Sequence, residues 1–263
     1  MEKDNALKIP LREQENLKEL FRLLEQNGMT AEKKQVLQMA DYIDDMDTKM
    51  DRVLKDLKEM REQISGIENQ GIRAKAEQIV AKVAARAEEA GEWLGTLKQT
   101  FLEKTGQAVR SGKEKGRDVL AGMVSTIHLP GMTFRVQHLL RRAIASADQG
   151  IEKLGDMAEE MYEAKRHLEN ARHVLTGGKA EKNKGRDPER GLVFETQRLM
   201  FQSMAILQNM ERRTGDFLER MDRLTARENK PRTSVRDTIR ELKSDQPSVS
   251  ELPQKEKKEP VRG

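Results

Sequence analysis

The chain has 263 residues, of which 36% are charged, 36% hydrophobic and only 3% aromatic, with no cysteine and a formal net charge of +4. A charge content well above the roughly 25% of an ordinary soluble domain, with so few aromatics, favours long exposed helices over one thick core and weighs against a compact enzyme. The missing cysteine excludes disulfides, thiolate metal sites and a cysteine nucleophile, and it suits a reducing cytoplasm. No run of about 18 apolar residues is present, so no spanning helix is expected. The start Met1-Glu2-Lys3-Asp4-Asn5 lacks the apolar core of a signal peptide, and the expected location is cytoplasmic. Charge is uneven: residues 1–70 hold 12 basic and 16 acidic side chains, against 37 and 29 in the remainder.

Residues 1–29 predict a short helix, with Pro10 near its first turn, Leu17, Leu20, Phe21 and Leu24 on one face, and Asn27-Gly28 closing it. Thr30 offers an N-cap for the next. From there Val36, Met39, Ile43, Met46, Met50, Val53, Leu57, Met60, Ile64 and Ile67 recur in steps of three and four, which is the heptad seam of a coiled coil. After the break at Asn69-Gln70-Gly71 the same spacing resumes in an alanine-rich seam: Ala76, Val80, Val83, Ala87, Ala90, Leu94, Leu97 and Phe101. Small seam residues let helix axes approach, so residues 30–105 read as an antiparallel helical hairpin.

Glycines at 106, 112, 116 and 122 interrupt the pattern, and residues 106–132 read as a frayed helix or hinge ended by Leu129-Pro130-Gly131. A third long helix is expected within 133–178. Its seam is Leu140, Ile144, Ala147, Ile151, Leu154, Ala158, Met161, Leu168 and Leu175, with Lys165 and Arg172 as exceptions. Residues 179–191 form a charged linker without a large apolar side chain, and 192–228 a fourth long helix bearing Val193, Met200, Met204, Leu207, Leu218 and Met221. The tail, 229–263, holds four prolines and little periodicity beyond Val235, Ile239 and Leu242, and is expected to be mostly disordered. No stretch alternates at period two, so the expected class is all-α: an elongated antiparallel helical bundle or coiled coil.

No constellation demands catalysis. His128, His138, His167 and His173 have no metal-binding spacing, and no cofactor or metal site is expected. The acidic cluster Asp41, Asp44, Asp45, Asp47 and Asp51 flanks the first seam, and that register places Asp44, Asp45 and Asp51 on outward, solvated positions. Phosphate-loop spacing fails at Gly106 to Gly112-Lys113, and no Gly-x-Ser-x-Gly nucleophile turn occurs. Cations cluster at Lys113, Lys115 and Arg117, at Arg135, Arg141 and Arg142, and from Arg212 to Arg240, mostly as solvated faces and intrahelical pairs. The apolar stretch Val119, Leu120, Met123, Val124 and Ile127 is expected to pack on the bundle, with no contact to a membrane surface.

Two blocks carry a resemblance. Lys8-Ile9-Pro10-Leu11-Arg12-Glu13-Gln14-Glu15-Asn16 through Leu24, and Tyr162 with Arg166-His167-Leu168, Asn170 and Leu175-Thr176-Gly177, resemble an uncharacterised domain family. Its members occur in Clostridia and related Firmicutes, often in gene clusters of integrative conjugative elements. The similarity extends from the first helix to Gly177 and weakens in the linker and tail. It implies a cytoplasmic bacterial protein of a mobile element and transfers no activity, cofactor or catalytic residue. The same blocks have a physical reading, in which Arg12, Glu13 and Glu15 clamp the first helix onto the hairpin.

The expected function is a non-enzymatic scaffold or adaptor that self-associates or docks a partner helix through the seam Val36, Met39, Ile43, Met46, Met50, Val53, Leu57, Met60 and Ile64. The alternative is an accessory DNA-binding protein contacting phosphates through Arg220, Arg223, Arg227, Lys230 and Arg232.

Overall fold

The computed structural model describes residues 9–127, 129–176 and 191–228, with side chains as far as Arg223. Among them are one 3-10 turn, Leu11–Glu13, and six α-helices: α1 Glu15–Gln26, α2 Thr30–Ser65, α3 Gln70–Lys115, α4 Arg117–Ser125, α5 Pro130–Leu175 and α6 Leu192–Glu228. No described residue is in a strand, so the chain is all-α. The expected linker 179–191, apart from Gly191, and the tail 229–263 lie outside the described residues, as does His128.

Helix boundaries follow local chemistry. Gly28, at φ +68, supplies the left-handed turn between α1 and α2. Asn69 caps α3, its side-chain oxygen accepting from the N–H groups of Gly71 and Ile72 at 3.0 and 3.2 Å. Pro130 opens α5 at its first turn, where a missing N–H costs nothing.

Four long helices, α2, α3, α5 and α6, form an up-down-up-down bundle in which each has two antiparallel neighbours. Lys98 meets Asp47 and Arg61 approaches Glu88 between α2 and α3. Arg142 reaches Glu89 and Lys82 reaches Gln149 between α3 and α5. Gln137 and Arg141 share Glu211 between α5 and α6, and farther along this pair Gln197 donates to the Ile151 carbonyl at 3.0 Å. The ring of helices closes between α6 and α2, where the Tyr42 hydroxyl lies 3.0 Å from the Thr214 hydroxyl and the Tyr42 ring stacks on Phe217 with centroids 4.4 Å apart. The bundle lies in the first of two compact units, Met1–Met221; the second, Asp222–Gly263, is described only over the last turns of α6.

The helix expected to stop near residue 105 runs on to Lys115. Thr105, Ala108 and Val109 are buried there, and Gly106 and Gly112 admit Asn16 and Leu120 at close range, so these glycines serve packing rather than a break. The break falls at Gly116, whose φ of +80 disfavours a side chain. Leu120, Val124 and Ile127 of the following segment are buried. On α6 the expected seam is incomplete: Met210 and Phe217 join it, together with buried Thr196, Ser203 and Thr214.

Candidate interaction surface

All nine residues of the expected association seam are interior, from Val36 at 0% exposed through Met50 at 3% to Ile64 at 0%. The single chain covers this seam with its own helices, so in this fold it is core and offers no docking face. A heptad seam alone implies one partner helix, and here α3 and α6 fill that place from within the chain.

The acidic cluster beside the seam is also turned to internal use, which corrects the outward placement of Asp44 and Asp45. Both Asp44 carboxylate oxygens accept the Leu11 N–H, at 3.0 and 2.9 Å, and Arg12 grips Asp41 through two nitrogens. Asp45 accepts from Lys49 on its own helix and from Arg213 of α6, while the nearly buried Lys98 donates to Asp47 at 2.5 Å. Asp51 alone of the five is fully on the outside. The Arg12 part of the expected clamp is therefore present; Glu15 instead pairs with Lys18 within α1.

Burial pushes the Asp44 carboxyl above its ordinary pKa, a rise that the Leu11 hydrogen bond and the Lys98 charge only partly offset. Burial acts on Asp45 in the same sense, but the hydrogen bonds and charges of Lys49 and Arg213 outweigh it and hold that carboxyl below its usual value. The two have opposite linkage. Asp44 favours the fold most below the unfolded carboxylate pKa and loses that contribution as pH rises through its higher folded value. Asp45 contributes above the unfolded pKa and loses its effect as pH falls through its lower folded value. Asp44→Asn retains an acceptor for Leu11 without a buried charge and is expected to match the wild type in urea denaturation at neutral pH. Asp44→Ala strands the Leu11 N–H and is expected to destabilise by about 1–2 kcal/mol.

Several of the cations singled out by the sequence have intrachain partners. Lys113 pairs with Glu19, Arg141 with Glu211, Arg142 with Glu89 and Arg213 with Asp45. Arg135 lies over the Trp93 ring, 5.0 Å from its centre. Of the residues proposed to contact nucleic acid, Arg220 and Arg223 are exposed on α6; the side chain of Arg227, and Lys230 and Arg232 entirely, lie outside the described residues. Among the described residues no group of three or more histidines and carboxylates is placed to hold a metal. Two open grooves, of about 560 Å³ between α5 and α6 and about 410 Å³ between α3 and α5, are lined by mixed charges such as Arg141 with Asp148, and Lys82 with Glu160.

The surface that stands apart is the last third of α5. Leu154 and Met157 are the last buried residues of this helix, at the level where α6 begins and α3 starts. Beyond them residues 158–175 continue helically for ~27 Å at 1.5 Å per residue. The seam continues with them, but Met161 is 37% exposed, Leu168 76% and Leu175 87%, with Val174 beside it at 60%. Among the described residues these apolar side chains at heptad spacing stand exposed.

The chain belongs to a family of unknown function, DUF6674, whose model matches residues 13–260. The match extends through the linker and nearly all of the tail, beyond the Gly177 limit expected from the two blocks. No curated protein and no solved structure matches the chain. No helix among the described residues is long and apolar enough to cross a membrane.

Proposed function

We propose that this protein is a non-enzymatic helical scaffold or adaptor, acting through helix–helix association in the cytoplasm of a bacterium as part of a mobile element. The observation that carries this reading is the exposed run Met161, Leu168 and Leu175, which prolongs a packed seam past the end of the bundle. The associating element is thus the exposed end of α5, in place of the buried seam of α2. Support for the mobile-element setting comes from the resemblance, whose second block falls on this same arm from Tyr162 to Leu175.

The test is capture of partners by full-length tagged protein in its native host, comparing wild type with a Met161→Gln, Leu168→Gln, Leu175→Gln chain. Glutamine keeps helix propensity while removing the apolar face. Loss of a captured protein, with unchanged circular dichroism, is the expected outcome. Identical captures by both chains would remove the arm from the function.

A further inference from the structure

We infer that α6 is a releasable cover, which detaches from α2 and α5 as one unit while the rest of the bundle stays folded, and so uncovers one flank of the α2 seam. The inference stands apart from the reading of the α5 end, since Met161, Leu168 and Leu175 do not enter it.

The other helices are built around α3. The backbones of α1, α2, α4 and α5 each make their closest approaches to it. Small side chains permit this between α3 and α5, where Ala84 and Ala87 on the one and Ala143, Ala147 and Gly150 on the other are all buried. The buried leucines of α1 add a further apolar layer against α2 and α3. By contrast α6, of the four long helices, approaches its neighbours' backbones least closely.

The seam of α6 is also the weaker one. Steps of three and four from Val193 to Met221 give nine buried positions, of which Thr196, Ser203 and Thr214 are hydroxyl side chains, whereas the nine of the α2 seam are all apolar. Thr196 and Thr214 bond carbonyls of their own helix and keep those bonds when α6 leaves. The Ser203 hydroxyl is buried with no hydrogen-bond partner among the described residues. Docking removes it from water without replacement, and release returns it. The ion pairs at the edges, Arg213 with Asp45 and Arg141 with Glu211, have arginines 50% and 61% exposed, so solvent screens them. Chain order suits release as a unit, because α6 is the last described helix and none follows that would leave with it.

Amide hydrogen exchange of the full-length protein, followed by peptide as urea is raised below the unfolding transition, reads the opening. Peptides within residues 193–221 are expected to exchange through an opening roughly tenfold or more easier than the one that exposes α2 and α3, independent of protein concentration. Leu20→Ala separates this from a single cooperative transition. Leu20 is fully buried on α1, and its truncation weakens the α3-centred core. Peptides of α2 and α3 should then exchange roughly thirtyfold or more faster, while α6 keeps its wild-type rate. Two results would overturn the inference: α6 as strongly protected as α2 in the wild type, or α6 accelerated by Leu20→Ala in step with α2 and α3. Should Leu20→Ala fail to fold, the wild-type comparison alone decides.

Discussion

Leu57→Asp is expected to abolish the cooperative unfolding transition, while Leu168→Asp leaves the melting temperature of the bundle within experimental scatter. Both leucines sit in heptad seams of long helices, and sequence pattern ranks them equally. Their surroundings differ: Leu57 is 1% exposed and Leu168 76%. Removing a buried leucine costs roughly 2–5 kcal/mol, and placing an unpaired carboxylate in the vacated space adds several more. That sum is comparable with the whole stability of a typical domain, about 5–15 kcal/mol. Circular dichroism during thermal and urea unfolding distinguishes the outcomes. A Leu57→Asp chain that melts like the wild type would mean that the α2 seam is not the core.

Gly150→Leu is the second large effect. Gly150 is buried where α5 crosses both α3 and α6, and a Cβ there would lie 2.7 Å from the Met200 sulfur and 3.0 Å from Ile79 Cγ2. A single methyl can be received by movement of the flexible Met200 end, and alanine restores about 1 kcal/mol of helix propensity, so Gly150→Ala should stay near the wild type. A leucine has no such room and must separate the helices, at a cost of about 3 kcal/mol, the upper part of the overpacking range. Urea midpoints of the three chains measure this order. Equal stability of the alanine and leucine variants would contradict the close three-helix contact.

The α2 seam was legible residue by residue because burial along a straight helix imposes the three-four spacing directly. The side of α2 carrying Asp44 and Asp45 was not. A heptad register treats those positions as outward, but α2 has α3 on one side, α6 on another and the Leu11–Glu13 turn between, so flanking residues also meet neighbours. The same cause hid Tyr42, which lies off the seam and packs on Phe217 of α6. Thr196 and Thr214 escaped because hydrophobic periodicity discounts them; each satisfies its buried hydroxyl on a carbonyl one turn back, at 2.8 Å. Gly150 left no signal, since close approach is a property of three helices together.

The arm was legible as helix and illegible as surface. Leu154 and Leu168 belong to one heptad seam, yet the first is buried and the second exposed. What separates them is the level at which α3 and α6 begin, which depends on how those helices slide against α5 and is written in no local pattern. Lys165 and Arg172, which interrupt the seam only beyond Met157, were the one hint that the environment changes there.

Amide hydrogen exchange on the dilute full-length protein, resolved by peptide, tests the division between closed bundle and exposed arm most directly. Peptides covering Val36–Ile64 should exchange only through global unfolding, whereas those covering residues 158–175 should exchange orders of magnitude faster. Rapid exchange in the α2 seam together with strong protection of the α5 end at low concentration would contradict it.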